Sequence, residues 1–107
     1  MGNTHDLSAL LAKHSNSAFF FRVKDDSMIN AHMPKGALLA VDKHTKPENG
    51  MIIVAEVEGT VVVRRLINTL RLTVLHPENT YYKPLVVTRE MNMIIYGVVT
   101  TILITCP

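Results

Sequence analysis

Few side chains in this sequence are placed to do chemistry, and the best placed is Ser27. It lies in Asp25-Asp26-Ser27-Met28, after the strand-like run Ala18 to Val23 and before the turn residues Pro34-Lys35-Gly36. A serine at the end of a rigid apolar strand can be presented as a nucleophile with fixed geometry. The backbone N–H groups of Asp26 and Ser27 would then face a developing oxyanion. An ordinary alternative is a plain turn in which Ser27 caps a helical turn. The partners that serine chemistry needs are sparse. His5, His14, His32, His44 and His76 show no metal-ligand spacing, and Cys106 has no cysteine partner, so no metal is expected. Asp42 reads as a turn former at a strand end. A Ser-His-Asp triad stays open, because its members can lie anywhere in a chain, but no Gly-x-Ser-x-Gly elbow surrounds Ser27. No Gly-rich phosphate loop is present, and no cofactor is expected.

The elements that must position Ser27 are mostly strands. Leu7, Leu10 and Leu11 form a one-sided stripe behind Asp6 and predict a short helix over 6–13. Apolar runs follow at 37–41, 51–57 and 60–67, the last two separated by Glu58-Gly59, a strong hairpin signal. Further strands are expected at 71–75, at 81–87 and at 93–105. Pro84 marks the second as an edge strand or irregular segment, and Gly97 marks a bulge in the third. Side chains alternate along a strand, so Arg64 and Arg65 point to opposite faces, and at most one can enter a cleft.

The 107 residues suit one domain, 1–107, without repeats or linkers. Apolar residues make up 48% of the chain, an ordinary share for a globular domain. A single cysteine gives no case for an oxidising compartment. With no signal peptide and no apolar run long enough to span a bilayer, a cytoplasmic protein without membrane attachment is expected. The net charge of +2 is spread out, and no basic surface with interleaved aromatics predicts direct nucleic-acid binding.

Several motifs in order resemble the UmuD/LexA type of serine–lysine self-cleaving peptidases. They are Asp26-Ser27-Met28 followed by Gly36 to Asp42, Glu58-Gly59 with Val61 to Leu66, Leu75-His76-Pro77-Glu78-Asn79 through Pro84, and Tyr96-Gly97-Val98-Val99. The resemblance extends over nearly all of residues 6–104. It implies a mostly β fold of small curved antiparallel sheets with one short N-terminal helix. It also implies a dyad in which Ser27 is the nucleophile and a lysine on the hairpin's second strand is its base. Here that position is Arg64. A buried lysine can lose its proton, whereas a guanidinium keeps its charge at any ordinary pH. The dyad is therefore expected to be a relic. Asp25 also replaces the usual Gly before Asp-Ser, and Ala37 the usual Asp after Gly36.

Family members cut an Ala-Gly or Cys-Gly bond in an upstream arm, and neither dipeptide occurs in this sequence. The closest likeness is to the processed, mutagenesis-active UmuD′ form. The resemblance then implies a homodimeric accessory subunit of an error-prone translesion polymerase in the SOS response. A UmuC-like polymerase subunit and a RecA filament would be its partners. Met93 to Tyr96 with Val98 and Val99 form an apolar strand whose exposed edge would seek a second copy. Two alternatives stay open: an active serine peptidase cutting in trans, and the dimerisation domain of a LexA-like repressor.

Overall fold

The computed structural model of the chain describes residues 18–104. The helix expected over 6–13, His5, His14 and Cys106 lie outside the described residues. The strands are β1 (Ala18–Arg22), β2 (Leu38–Asp42), β3 (Ile52–Val57), β4 (Thr60–Asn68), β5 (Thr73–His76), β6 (Leu85–Val87) and β7 (Met93–Leu103), with one 3-10 turn at Ile29–Ala31. They join into one seven-stranded sheet in the order β1-β2-β7-β3-β4-β5-β6, and every pair is antiparallel. The mostly β, antiparallel expectation holds, with the curved strands forming a continuous sheet. No helix among the described residues is long and apolar enough to cross a membrane.

Local sequence explains the elements. The β3–β4 hairpin turns on Glu58 and Gly59, with φ of 50° and 84°. Positive φ at both central residues is the two-residue turn whose twist matches its strands. Pro84 stands immediately before β6, which lies at the sheet edge, where its missing N–H costs no ladder bond. Gly97 sits beside a one-residue register shift between β7 and β3. A Cβ at Gly97 would lie 2.5 Å from the Asp42 carbonyl oxygen, so β2 approaches too closely for any side chain.

β3 feeds two cores because its side chains alternate. Val54 packs with Val23, Met28, Met33, Leu39, Val41 and Val63 on one face. Ile53, Ala55 and Val57 pack with Leu66, Leu75 and Val98 on the other. Burying each Val, Leu, Ile or Met side chain among these contributes roughly 1.5–3 kcal/mol, and together they hold β4 and the segment after β1 in fixed relation.

One expectation needs correction. β7 is not an edge strand: it returns to the middle of the sheet, between β2 and β3. Its neighbours are staggered, however. β3 pairs with Met93–Val98, and β2 pairs with Val98–Leu103. Among the described residues, Met93–Gly97 therefore has a ladder partner on one side only, and Ile94 there is 53% exposed.

Candidate functional site

β1 ends at Arg22, and Val23 enters the core as the chain turns. That turn buries Ser27 to 2% exposure and Met28 to 1%. Asp25, by contrast, stays exposed at the rim. The Ser27 N–H donates to Asp25 Oδ1 at 2.9 Å, so the donor expected to face an oxyanion is already taken. Ser27 does not cap the 3-10 turn either. Met28 stands at the cap position without a side-chain bond, and the Ile29 N–H donates to the Asp26 carbonyl at 3.1 Å. His32, at φ 65°, ends the turn.

A second segment clamps this turn from across the fold. The Glu78 N–H donates to the Ser27 carbonyl at 2.8 Å, and the Asn30 N–H donates to the Glu78 carbonyl at 2.9 Å. Asn79 Nδ2 donates to the Asp26 carbonyl at 2.8 Å, while Asn79 Oδ1 accepts the Tyr81 N–H at 2.9 Å. Four hydrogen bonds thus fix where Ser27 sits and how the 78–81 segment meets it.

β4 supplies the cation. Arg64 pairs with Ile53 in the ladder and reaches across to Ser27, its Nη1 donating to Ser27 Oγ at 2.7 Å and to the Val63 carbonyl at 2.8 Å. The guanidinium carbon lies 5.9 Å from the Tyr82 ring centre, within cation–π range. Burial draws the Arg64 pKa below its ordinary value, while the negative charge of Asp25 pulls it back up. It remains a cation at neutral pH. For Asp25, partial burial opposes ionisation. The Ser27 hydroxyl, the Ser27 N–H and the charge of Arg64 together outweigh that and hold the carboxyl below its usual value. Ser27 is therefore bonded to a cation through its Oγ and to a carboxylate through its N–H.

Arg65 faces the other way, as strand alternation requires. Its Nε donates to Glu78 Oε2 at 3.0 Å and its Nη1 to the Gly50 carbonyl at 2.7 Å. His76 Nδ1 lies 3.8 Å from the same carboxylate oxygen. Asp42 ends β2 as a turn former: Oδ1 accepts the His44 N–H at 2.8 Å, and Oδ2 accepts the Thr45 hydroxyl at 2.9 Å. Among the described residues, no group of three or more His, Cys, Asp or Glu side chains could hold a metal ion.

The structure thus brings Ser27 and Arg64 together and sends Arg65 to the opposite side. Sequence reasoning gave no role to Asp25, Glu78, Asn79 or Tyr82 at the site. The Asp-x-Ser spacing was a usable signal for Asp25, because Asp often accepts the N–H two residues on. Nothing local pointed to the backbone clamp from Glu78.

This fold and site define a class: a small antiparallel β domain that holds a serine hydroxyl against a cation carried by the second strand of a hairpin. The chain belongs to the Peptidase S24-like family, whose model matches residues 2–100. It is 39% identical over 84 residues to the LexA repressor of Geobacter sp. (strain M21), covering 78% of this chain and 42% of that protein. It is 42% identical over 72 residues to the LexA repressor of Shewanella sp. (strain MR-7), covering 67% and 35%. With the LexA repressor of Shewanella sediminis it shares 44% identity over 69 residues, covering 64% and 34%. The chain is LexA-like and spans less than half the length of these relatives.

Proposed function

We propose that this chain is a non-cleaving member of its family that works by assembly: a UmuD′-like homodimeric accessory subunit of an error-prone translesion polymerase in the SOS response. The observation that carries the non-cleaving part is the 2.7 Å bond from Arg64 Nη1 to Ser27 Oγ. A base must accept the hydroxyl proton, and a guanidinium at that position can only donate. Support for assembly comes from Met93–Tyr96, which among the described residues pairs with β3 alone and carries exposed Ile94, a strand edge that a second copy would extend.

DNA contact is expected to arrive through the polymerase subunit or a recombinase filament. Arg64 is committed to Ser27 and Arg65 to Glu78. Arg71 is the remaining member of the one basic concentration in a chain of net charge +2. Useful phosphate binding takes several clustered cations.

A second reading, the dimerisation domain of a LexA-like repressor, is favoured by the LexA repressors among the relatives. A third reading, cleavage in trans, would need a base other than Arg64.

Light scattering at micromolar concentration should give about twice 11.9 kDa, and the dimer should co-elute with a translesion polymerase subunit. A monomer across that range would refute the assembly reading. A dimer that ignores the polymerase would favour the repressor reading. In fluorescence anisotropy at about 0.15 M salt, the protein alone should not bind oligonucleotides with a sub-micromolar dissociation constant.

A further inference from the structure

We propose that Asp25 is a second block on the nucleophile: its carboxylate occupies the Ser27 N–H that an acyl-transfer intermediate would need. The inference rests on the reading of the site as non-cleaving and adds a residue to it. Three observations carry it. Ser27 N–H donates to Asp25 Oδ1 at 2.9 Å. The cavity beside Ser27, lined by Asp25, Val23, Met28 and Val63 among others, measures about 20 Å³. That is room for about one water. The positive charge of Arg64, bonded to Ser27 Oγ, favours the ionised Asp25 that makes this bond.

The consequence concerns charge. Acyl transfer builds negative charge beside the Ser27 N–H, and donors aimed there stabilise it. A carboxylate already seated on that donor removes it and adds repulsion. Asp25 reaches only two residues along the chain, so it reoccupies the N–H readily although its side chain is exposed. Its φ is not among the positive values in the described residues, so alanine fits the backbone. Replacing the cation alone therefore leaves the site blocked.

The test uses the full chain and a small alkyl fluorophosphonate, with Ser27 adduct read by mass spectrometry. In that reaction Ser27 Oγ forms the bond to phosphorus, the P–F bond breaks, and fluoride leaves. The hydroxyl proton passes to a neutral amine introduced at position 64 by R64K. R64K alone should label scarcely faster than the unmodified protein. R64K with D25A should label about 100-fold faster than R64K, the scale of one oxyanion donor. R64K with D25N keeps a neutral acceptor on the N–H and should stay close to R64K. Equal rates for R64K with and without D25A would overturn the proposal, as would D25N matching D25A. Labelling of the unmodified protein at Ser27 would instead overturn the non-cleaving reading. Should the R64K chain not fold, the unmodified protein decides. Its Ser27 amide shift should follow the Asp25 titration, and an amide that ignores that titration overturns the proposal.

Discussion

Arg64 and Arg65 are adjacent in β4, and the sheet gives them opposite lives. Arg64 crosses to a buried serine and is held there by Ser27 Oγ, the Val63 carbonyl and the Tyr82 ring. Arg65 lies at the rim with its side chain 34% exposed, paired to Glu78 and the Gly50 carbonyl. One step along a strand separates a cation whose removal strands a buried oxygen from one that water can replace. Residue type says little about the worth of a charge; the face of the strand decides it.

Substitutions can break or sharpen this contrast, and a change outside both faces sets the upper end of the scale. Gly97→Ala forces a Cβ against the Asp42 carbonyl and Val41 at the sheet centre. It should cost about 3 kcal/mol or more in urea unfolding. Arg64→Ala removes the donor of the buried Ser27 hydroxyl and part of the packing on Tyr82. A cost of about 2–3 kcal/mol is expected, changing little in 1 M salt. Ser27→Ala should cost less, about 1–2 kcal/mol, and the Ser27/Arg64 double-mutant cycle should show a coupling of about 1 kcal/mol. Arg65→Ala should cost about 1 kcal/mol or less, and the loss should shrink further in 1 M salt, where exposed pairs are screened. Equal costs and equal salt responses at the two arginines would erase the contrast.

The smallest effect expected is a pH dependence. The Asp25 carboxyl is held below its ordinary value in the folded chain. Its stabilising share is therefore present above the unfolded carboxyl pKa and disappears as pH falls through the folded one. The stability difference between the unmodified chain and Asp25→Ala should be present near pH 6 and fade toward pH 2. A difference that grows on acidification would mean that the carboxylate is not held as described.

How much of this was legible in the sequence follows from the range of the interactions involved. The Glu58-Gly59 hairpin, the edge position after Pro84, the irregularity at Gly97 and the divergence of Arg64 and Arg65 rest on local turn chemistry or strand alternation. All of them were readable. The return of β7 to the centre of the sheet was not, because an apolar run such as Met93–Val99 suits a central strand and an exposed one equally well. The 3-10 turn at Ile29–Ala31 has no distinctive residues and is closed by backbone bonds. At the site, the pairing of Ser27 with position 64 was reached through a family resemblance. The clamp by the Glu78 backbone and the Asn79 side chain joins groups far apart in sequence and left no local mark. Asp25 did leave one, in its spacing from Ser27, and its consequence emerged only once the N–H was seen to be occupied.

The central claim is that Ser27, held between Arg64 and Asp25, is not a nucleophile. It is tested most directly by incubating the unmodified protein at neutral pH with a cleavable LexA-type substrate whose own nucleophilic serine has been changed to alanine, and following the substrate by mass spectrometry. The account expects the substrate to remain intact, as it does without the protein. Cut substrate that disappears when the protein carries Ser27→Ala would contradict it.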